Sequence, residues 1–215
     1  MVYEILTYPN KKLFERSREI TEFDAELGKF LDDMYDTMIA GNGIGLAAIQ
    51  VGKPVRAVVI NLVNEEKIQD KADLLELINP RFLEKRGEII YQEGCLSVPG
   101  YYEDVKRAEY VKLEYQDRRG EKHVIEADEL LAVAIQHECD HLDGHLFIER
   151  IGFTKRKKFD KEYKRKQKDG GFKSATTGNS NLKDESKDSS NLKANNERIK
   201  NSAHEDRLRS STKSK

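Results

Sequence analysis

The chain of 215 residues has no tryptophan, two cysteines, four prolines, three methionines and no long apolar run. Two cysteines, Cys95 and Cys139, are too few for a disulfide scaffold and point to a reducing compartment. The longest apolar stretches, such as Leu130 to Ile135, run about six residues against the ~20 that span a bilayer, so no membrane segment is expected. The start, MVYEILTYPNKK, has an acidic residue at position 4 and no apolar run behind basic residues, so no secretory signal is expected. A cytoplasmic protein is the plain expectation. Hydrophobic content is 37% and charged content 36%, more polar than the ~45–50% and ~25% of an average domain. Eight Phe and nine Tyr still suffice for a core. The length admits one domain with an appendage, or two small domains.

A net charge of −1 conceals an asymmetry. Residues 155–215 carry 19 Lys and Arg against 9 Asp and Glu, leaving 19 basic and 30 acidic residues in 1–154. A basic tail on an acidic body points to an anionic partner, commonly nucleic acid, or to a merely solvated extension. From Ser174 to Lys215 there is no aromatic residue, and 18 of the 42 positions are Ser, Thr or Asn. Such a segment buries too little apolar surface to offset the entropy of ordering it, so disorder is expected. Just before it, TKRKKFDKEYKRKQK (154–168) lacks Gly and Pro and consists of good helix formers, until Asp169-Gly170-Gly171 stops it. Phe159 and Tyr163, four apart, are its only anchors, which predicts a basic helix docked lightly or not at all. The chain therefore divides into a body over 1–154, a basic helix over 155–169 and a low-complexity tail over 170–215.

Within the body, Leu27, Leu31, Met34 and Met38 share one face of a helix over Phe23–Ala40 that Asp24 can cap. A glycine-rich segment, GNGIGLAAIQ, follows, and PVRAVVINLV reads as a buried strand. Asn79-Pro80 reads as a break, and EIIYQ as a short strand leading into EGCLSVPG. Alternation in YVKLEY, a turn at DRRG and the return of KHVIE predict an antiparallel hairpin. Asp128 is expected to cap a helix over ELLAVAIQHECDHLDG that Gly144 closes. Short strands, few helices and no βαβ rhythm predict an α+β fold, with short antiparallel sheets around a central helix over about 128–143 and a C-terminal basic helix.

That central helix carries His137-Glu-Cys-Asp-His141. Positions i and i+4 share a helix face, so both imidazoles can reach one metal ion. Glu138 lies about 100° further round, where a carboxylate meets water at the metal and not the metal itself. A catalytic site wants three protein ligands and one open position. HLDG (141–144) follows the extended metalloprotease pattern as far as its glycine, but the third-histidine position is Phe147, and His145 comes two residues early. Glu149, Asp160 and Glu162 lie nearby in sequence but are poor candidates. Cys139 points roughly 200° from His137, so it is expected to be structural. Cys95, in a Gly- and Pro-bounded loop, remains the other sulfur candidate.

Three motifs in order, GIGLAAIQ ending at Gln50, EGCLS and QHECDH, make the chain resemble the peptide deformylases. Ile78-Asn-Pro and the N-terminal ILTYPNKKL agree, and the likeness covers about 3–168. Tyr101-Tyr102 departs from the commonest versions, and the tail after Gly171 lies outside the likeness. The resemblance implies a metal-dependent hydrolase that removes formate from N-terminal formyl-methionine during translation. It implies that Cys95, His137 and His141 bind the metal and that Glu138 is the general base and acid. The Gln50 side chain and the Leu96 backbone N–H would hold the oxyanion, and Gly45 would contact the substrate backbone. Ile44, Leu130 and Val133 are expected to line the methionine pocket, and Glu93 and Arg107 to brace the cysteine loop. Plainer readings exist: Gln50 caps its loop, Cys95 is a small buried apolar residue, and Ile44, Leu130 and Val133 are ordinary core. The ligand types suit zinc on general grounds, whereas the resemblance implies Fe2+, with Zn2+ or Ni2+ as substitutes. The expected partners are formyl-Met nascent peptides and, through the basic helix, ribosomal RNA, for a protein acting as a monomer. The rival readings are an endopeptidase on the same helix, and an RNA-binding protein with a structural metal site.

Overall fold

The computed structural model describes residues 1–64 and 68–168. Helix α1 spans Ala25–Ala40, and Asp24 Oδ1 accepts from the Leu27 N–H at 2.9 Å, the cap expected of it. The glycine-rich segment then yields a three-residue strand, β1 (Gly45–Ala47), and a 3₁₀ turn over Ala48–Val51. Strand β2 (Ala57–Ile60) is shorter than its apolar run and wholly buried. Its continuous hydrophobicity has a simple cause. Val58 and Ile60 pack into a core that includes α2 (Glu129–Leu142), while Ala57 and Val59 pack into one built on α1. Both faces of the strand are thus covered, so no polar alternation survives.

Strand β3 (Leu75–Arg86) runs straight through Asn79-Pro80, which the sequence marks as a break. A register shift between Ile78 and Arg81 absorbs the proline, and Asn79 takes a left-handed φ of 51°. The Asn79 side chain secures that bulge by accepting from Ile20 N and donating to Ile20 O. Strands β4 (Ile89–Cys95) and β5 (Val98–Arg107) form a separate two-stranded sheet. Strands β6 (Tyr110–Gln116) and β7 (Lys122–Asp128) are the expected hairpin, closed where Asp117 Oδ1 accepts from Arg119 N and Glu121 N. The main sheet has the order β1-β2-β3-β6-β7, antiparallel throughout. The fold is α+β.

Asp128 stands at the N-terminus of α2 but its side chain makes no capping bond. It is still the last residue of β7, and the chain turns at Glu129, whose φ is 47° and whose N–H donates to Glu109 O. Helix α3 (Phe153–Lys168) is firmly seated, contrary to the light docking its composition suggests. Phe159 and Tyr163 are 2% and 7% exposed, in a cluster with Leu13, Val98, Leu146 and Phe147. Two aromatic rings on one helix face outweigh the surrounding charge because each removes a large apolar area from water. The low-complexity tail expected over 170–215 lies outside the described residues.

Candidate active site

Helix α2 lies against β1, β2 and β7, which places its histidine-bearing turns beside the start of β1 and the β4–β5 hairpin. The hairpin closes through the pair Cys95 and Val98, which holds Cys95 at its tip just beyond an irregularity in the register after Glu93. His137 and His141 are 8% and 1% exposed, with ring centroids 5.0 Å apart. One ligand atom each from Cys95, His137 and His141 lies within 4.8 Å of the others, and Cys95 Sγ is 3.2 Å from His141 Nε2. Cys95, distant in sequence, therefore meets the two histidines of α2 at one point.

A buried charge network stands behind them. His137 Nδ1 lies 2.7 Å from Glu93 Oε2, leaving its other nitrogen for the metal side. Arg107 clamps Glu93 with two bonds, at 2.6 and 2.9 Å, and reaches Asp140 at 2.5 Å. Arg150 donates to both carboxylate oxygens of Asp140. Burial opposes the Glu93 charge, but hydrogen bonds from Arg107 and His137 outweigh it and hold the carboxyl below its ordinary pKa. Burial also opposes charge on His137, yet Cys95 and Glu93 raise its pKa well above the usual histidine range. For His141 burial and the neighbouring His137 act together and lower it. The expected Glu93–Arg107 brace is present; Asp140 and Arg150 complete it, and no local sequence signal marks them.

Glu138 is 5% exposed, and its Oε2 has no hydrogen-bond partner among the described residues. Burial pushes its carboxyl up to about 7. Gly45 leaves room for it: a Cβ there would sit 2.4 Å from Glu138 Oε1. On the opposite side, a Cβ at Gly43 would meet Leu96 Cδ1 at 2.7 Å. The glycines are thus set by close approach of side chains to the backbone at and just before the start of β1.

Gln50 caps its loop, the plainer of the two readings made of it. Its Oε1 accepts from Ala47 N at 2.8 Å, capping the 3₁₀ turn, and this orientation leaves Nε2 to face the cysteine loop. There Nε2 donates to Ser97 Oγ at 3.1 Å and approaches Cys95 Sγ at 3.5 Å. Ser97, fully buried, also points its N–H at Cys95 Sγ at 3.4 Å, a second support within the EGCLS motif. Val133 is 3% exposed, Leu130 is half-buried, and Ile44 is exposed at the rim. Cys139 is 3% exposed among Ile135 and Leu142, and burial pushes its thiol up to about 12. It takes no part in the cluster.

Phe147 is 1% exposed and stacks on His137, with centroids 6.0 Å apart and an interplanar angle of 29°. His145 points elsewhere, to Glu149. The endopeptidase reading therefore lacks its third histidine, and a closed structural site lacks a fourth ligand among the described residues. Of the unusual tyrosines, Tyr101 stacks on Phe147, and the Tyr102 ring covers Gly94 so closely that a Cβ there would be 2.4 Å from Cε1.

Comparison with known proteins agrees. A family model described as polypeptide deformylase matches residues 2–157. The peptide deformylase of Wolinella succinogenes is 58% identical over 164 residues, 76% of this chain and 96% of that protein. That of Helicobacter pylori (strain G27) is 59% identical over 165 residues, 77% of this chain and 95% of that one. The crystal structure of a peptide deformylase from Legionella pneumophila matches with a TM-score of 0.73 at 35% identity, covering 80% of this chain and 99% of that one. The Ehrlichia chaffeensis enzyme in complex with actinonin matches with a TM-score of 0.70 at 37% identity, covering 77% and 98%. With this fold, this cluster and these likenesses, the chain belongs to the polypeptide deformylase family.

Proposed function

We propose that Cys95, His137 and His141 hold one divalent metal ion, Fe2+ in the native protein with Zn2+ or Ni2+ as substitutes, at a site that hydrolyses N-terminal formyl-methionine. The enzyme releases formate and a free N-terminal methionine from newly made polypeptides. The observation that carries the reading is the convergence of three ligand atoms within 4.8 Å beside a buried carboxylate with an unpartnered oxygen. The donor set fits the ion: one thiol and two imidazoles leave a fourth position open, and Glu93 orients His137 through its outer nitrogen. When bound, the metal supplies Lewis acidity and draws the pKa of water towards neutrality.

The chain's own residues do the rest. Glu138 takes the proton of the attacking water and hands it to the departing amine. Gln50, its Oε1 fixed by Ala47, turns the Nε2 donor towards the developing oxyanion beside the Leu96 N–H. Removal of one such donor typically costs about 10²–10³ in rate. The Gly45 backbone meets the substrate chain, and Ile44, Leu130 and Val133 receive the unbranched methionine side chain. In this reading the catalytic body takes in residues 1–154, with the basic helix α3 seated against it. No helix among the described residues is long and apolar enough to cross a membrane. We place the enzyme in the cytoplasm as a monomer, its α3 charges turned towards ribosomal RNA.

Formate release from a formyl-Met peptide, run beside cleavage of an internal peptide bond, tests the activity. Deformylation without internal cleavage is expected, and the reverse would return the chain to the endopeptidases. Metal analysis of anaerobically purified protein identifies the ion.

A further inference from the structure

The wall of the site formed by Gly43, Ile44 and Gly45 is held from outside by one side chain. This wall leads into β1, an edge strand whose neighbour in the sheet, among the described residues, is β2. Two of its three residues lack side chains, so its position depends on what its backbone groups bond. Gly43 N donates to Met38 O at 2.9 Å, and Ile44 O accepts from Asn61 N at 2.9 Å. The Gly43 carbonyl, ahead of the strand, accepts from Gln69 Nε2 at 2.9 Å. The same nitrogen donates its second hydrogen to Asn61 O at 2.8 Å. Asn61 is fully buried at the end of β2, and its Nδ2 donates to Asp70 O at 2.7 Å, which returns the bracing to the residue after Gln69. Next to Gln69, Ile68 O accepts from the Asn64 N–H at 2.9 Å.

We propose that Gln69 is a positioning residue of the active site, its carboxamide setting the Gly43–Gly45 wall against which the substrate chain is laid. The inference rests on the deformylase reading of the site. A carboxamide nitrogen carries two donors, which two converging carbonyls require. A carboxylate of the same shape offers only acceptors and would repel both. The wall has little slack, since Leu96 approaches it at Gly43 and Glu138 at Gly45. Loss of the latch lets the Gly43 carbonyl rotate to water and carries Ile44 with it. A wall that holds substrate and transition state alike acts on KM and not on kcat.

The test measures kcat and KM separately for formyl-Met peptides in Q69L, Q69E and Q69K, with metal content and thermal unfolding. Q69L should raise KM about tenfold, the effect of one to two lost hydrogen bonds, with kcat within about threefold and metal content unchanged. Q69E should raise KM further, and Q69K, which still presents donors, should recover most of the loss. Amide hydrogen exchange at Ile44 and Gly45 should quicken in Q69L. KM within twofold of the unaltered enzyme in both Q69L and Q69E, or unchanged exchange at those amides, would overturn the proposal. Metal loss with kcat and KM changing together would also overturn it, as a merely structural role. Failure of the underlying reading shows separately, as no formate release by the unaltered protein, and the exchange measurement still judges the latch.

Discussion

Arg107 Nη1 donates to Asp140 Oδ2 at 2.5 Å, which ties the end of β5 to the helix that bears both histidines. Through its other nitrogens Arg107 holds Glu93, and Glu93 holds His137, so three elements are registered by one guanidinium. Glu93 and Arg107 are 4% and 5% exposed. Replacing Arg107 by Met leaves the buried Glu93 carboxylate with His137 alone, and breaking a buried pair in this way usually costs about 3–5 kcal/mol. Arg150 would still neutralise Asp140. Urea unfolding of Arg107→Met should show that loss, together with weaker metal retention. A loss below about 1 kcal/mol would mean that the network adds little.

Glu138→Gln keeps the size of the side chain and removes its basicity. Turnover should fall by at least about 10², the usual worth of general base catalysis, with metal content near that of the unaltered enzyme. Cys95→Ser should lose metal and turnover together. Cys139→Ala should change neither by much, since that thiol lies in the apolar core beyond the cluster. Metal analysis beside the rate assay separates these outcomes, and metal loss in the Glu138 variant would mean that its role is misassigned.

Gly45→Ala adds one methyl group, yet its Cβ would lie 2.4 Å from Glu138 Oε1 and 2.8 Å from Cδ. The Glu138 side chain must rotate away, which spoils the approach of water to the formyl carbon. A misplacement of about 1 Å can cost on the order of 10² in rate. The rate should fall by that order while metal content holds. Near-normal turnover would show that Glu138 has another working rotamer.

The central helix was legible because its chemistry is local: two histidines four apart, an intervening glutamate and Gly144 to close it. The β6–β7 hairpin was legible for the same reason, through alternation and the DRRG turn. Features that depend on distant partners were not. Asn79-Pro80 reads as a break because no sequence signal shows Ile20 ready to hold the bulge. The cap expected of Asp128 fails because Asp128 is still paired with Tyr110 as the last residue of β7, and the chain turns only at Glu129. Asp140, Arg150 and Gln69 act across 10 to 33 residues of sequence, where periodicity carries no information. The clustering of Cys95 with the histidines came from motif resemblance, not from spacing.

Helix α3 anchors one face in the core, and variants can separate that anchoring from the RNA contact proposed for the other face. Phe159 and Tyr163 lie inward, 4.8 to 5.5 Å from the Tyr8 ring, and Phe159 is 4.6 Å from Tyr101, which in turn stacks on Phe147. Deleting 155–215 would strip that cover and confound folding with binding. Phe159→Ala alone should cost about 3–5 kcal/mol of stability, the usual range for an emptied aromatic site. Lys157, Lys161 and Lys164 are exposed and fall on the opposite face at helical spacing. Changing all three to Glu leaves both anchors in place. The triple variant should deformylate a short formyl-Met peptide within about twofold of the unaltered rate, because no anchor or site residue is touched. Its co-sedimentation with ribosomes at low salt should drop sharply, and the salt dependence should flatten by roughly 0.7–0.9 for each phosphate that is no longer neutralised. Equal co-sedimentation of the two proteins would leave α3 as a solvated buttress and remove RNA from its role.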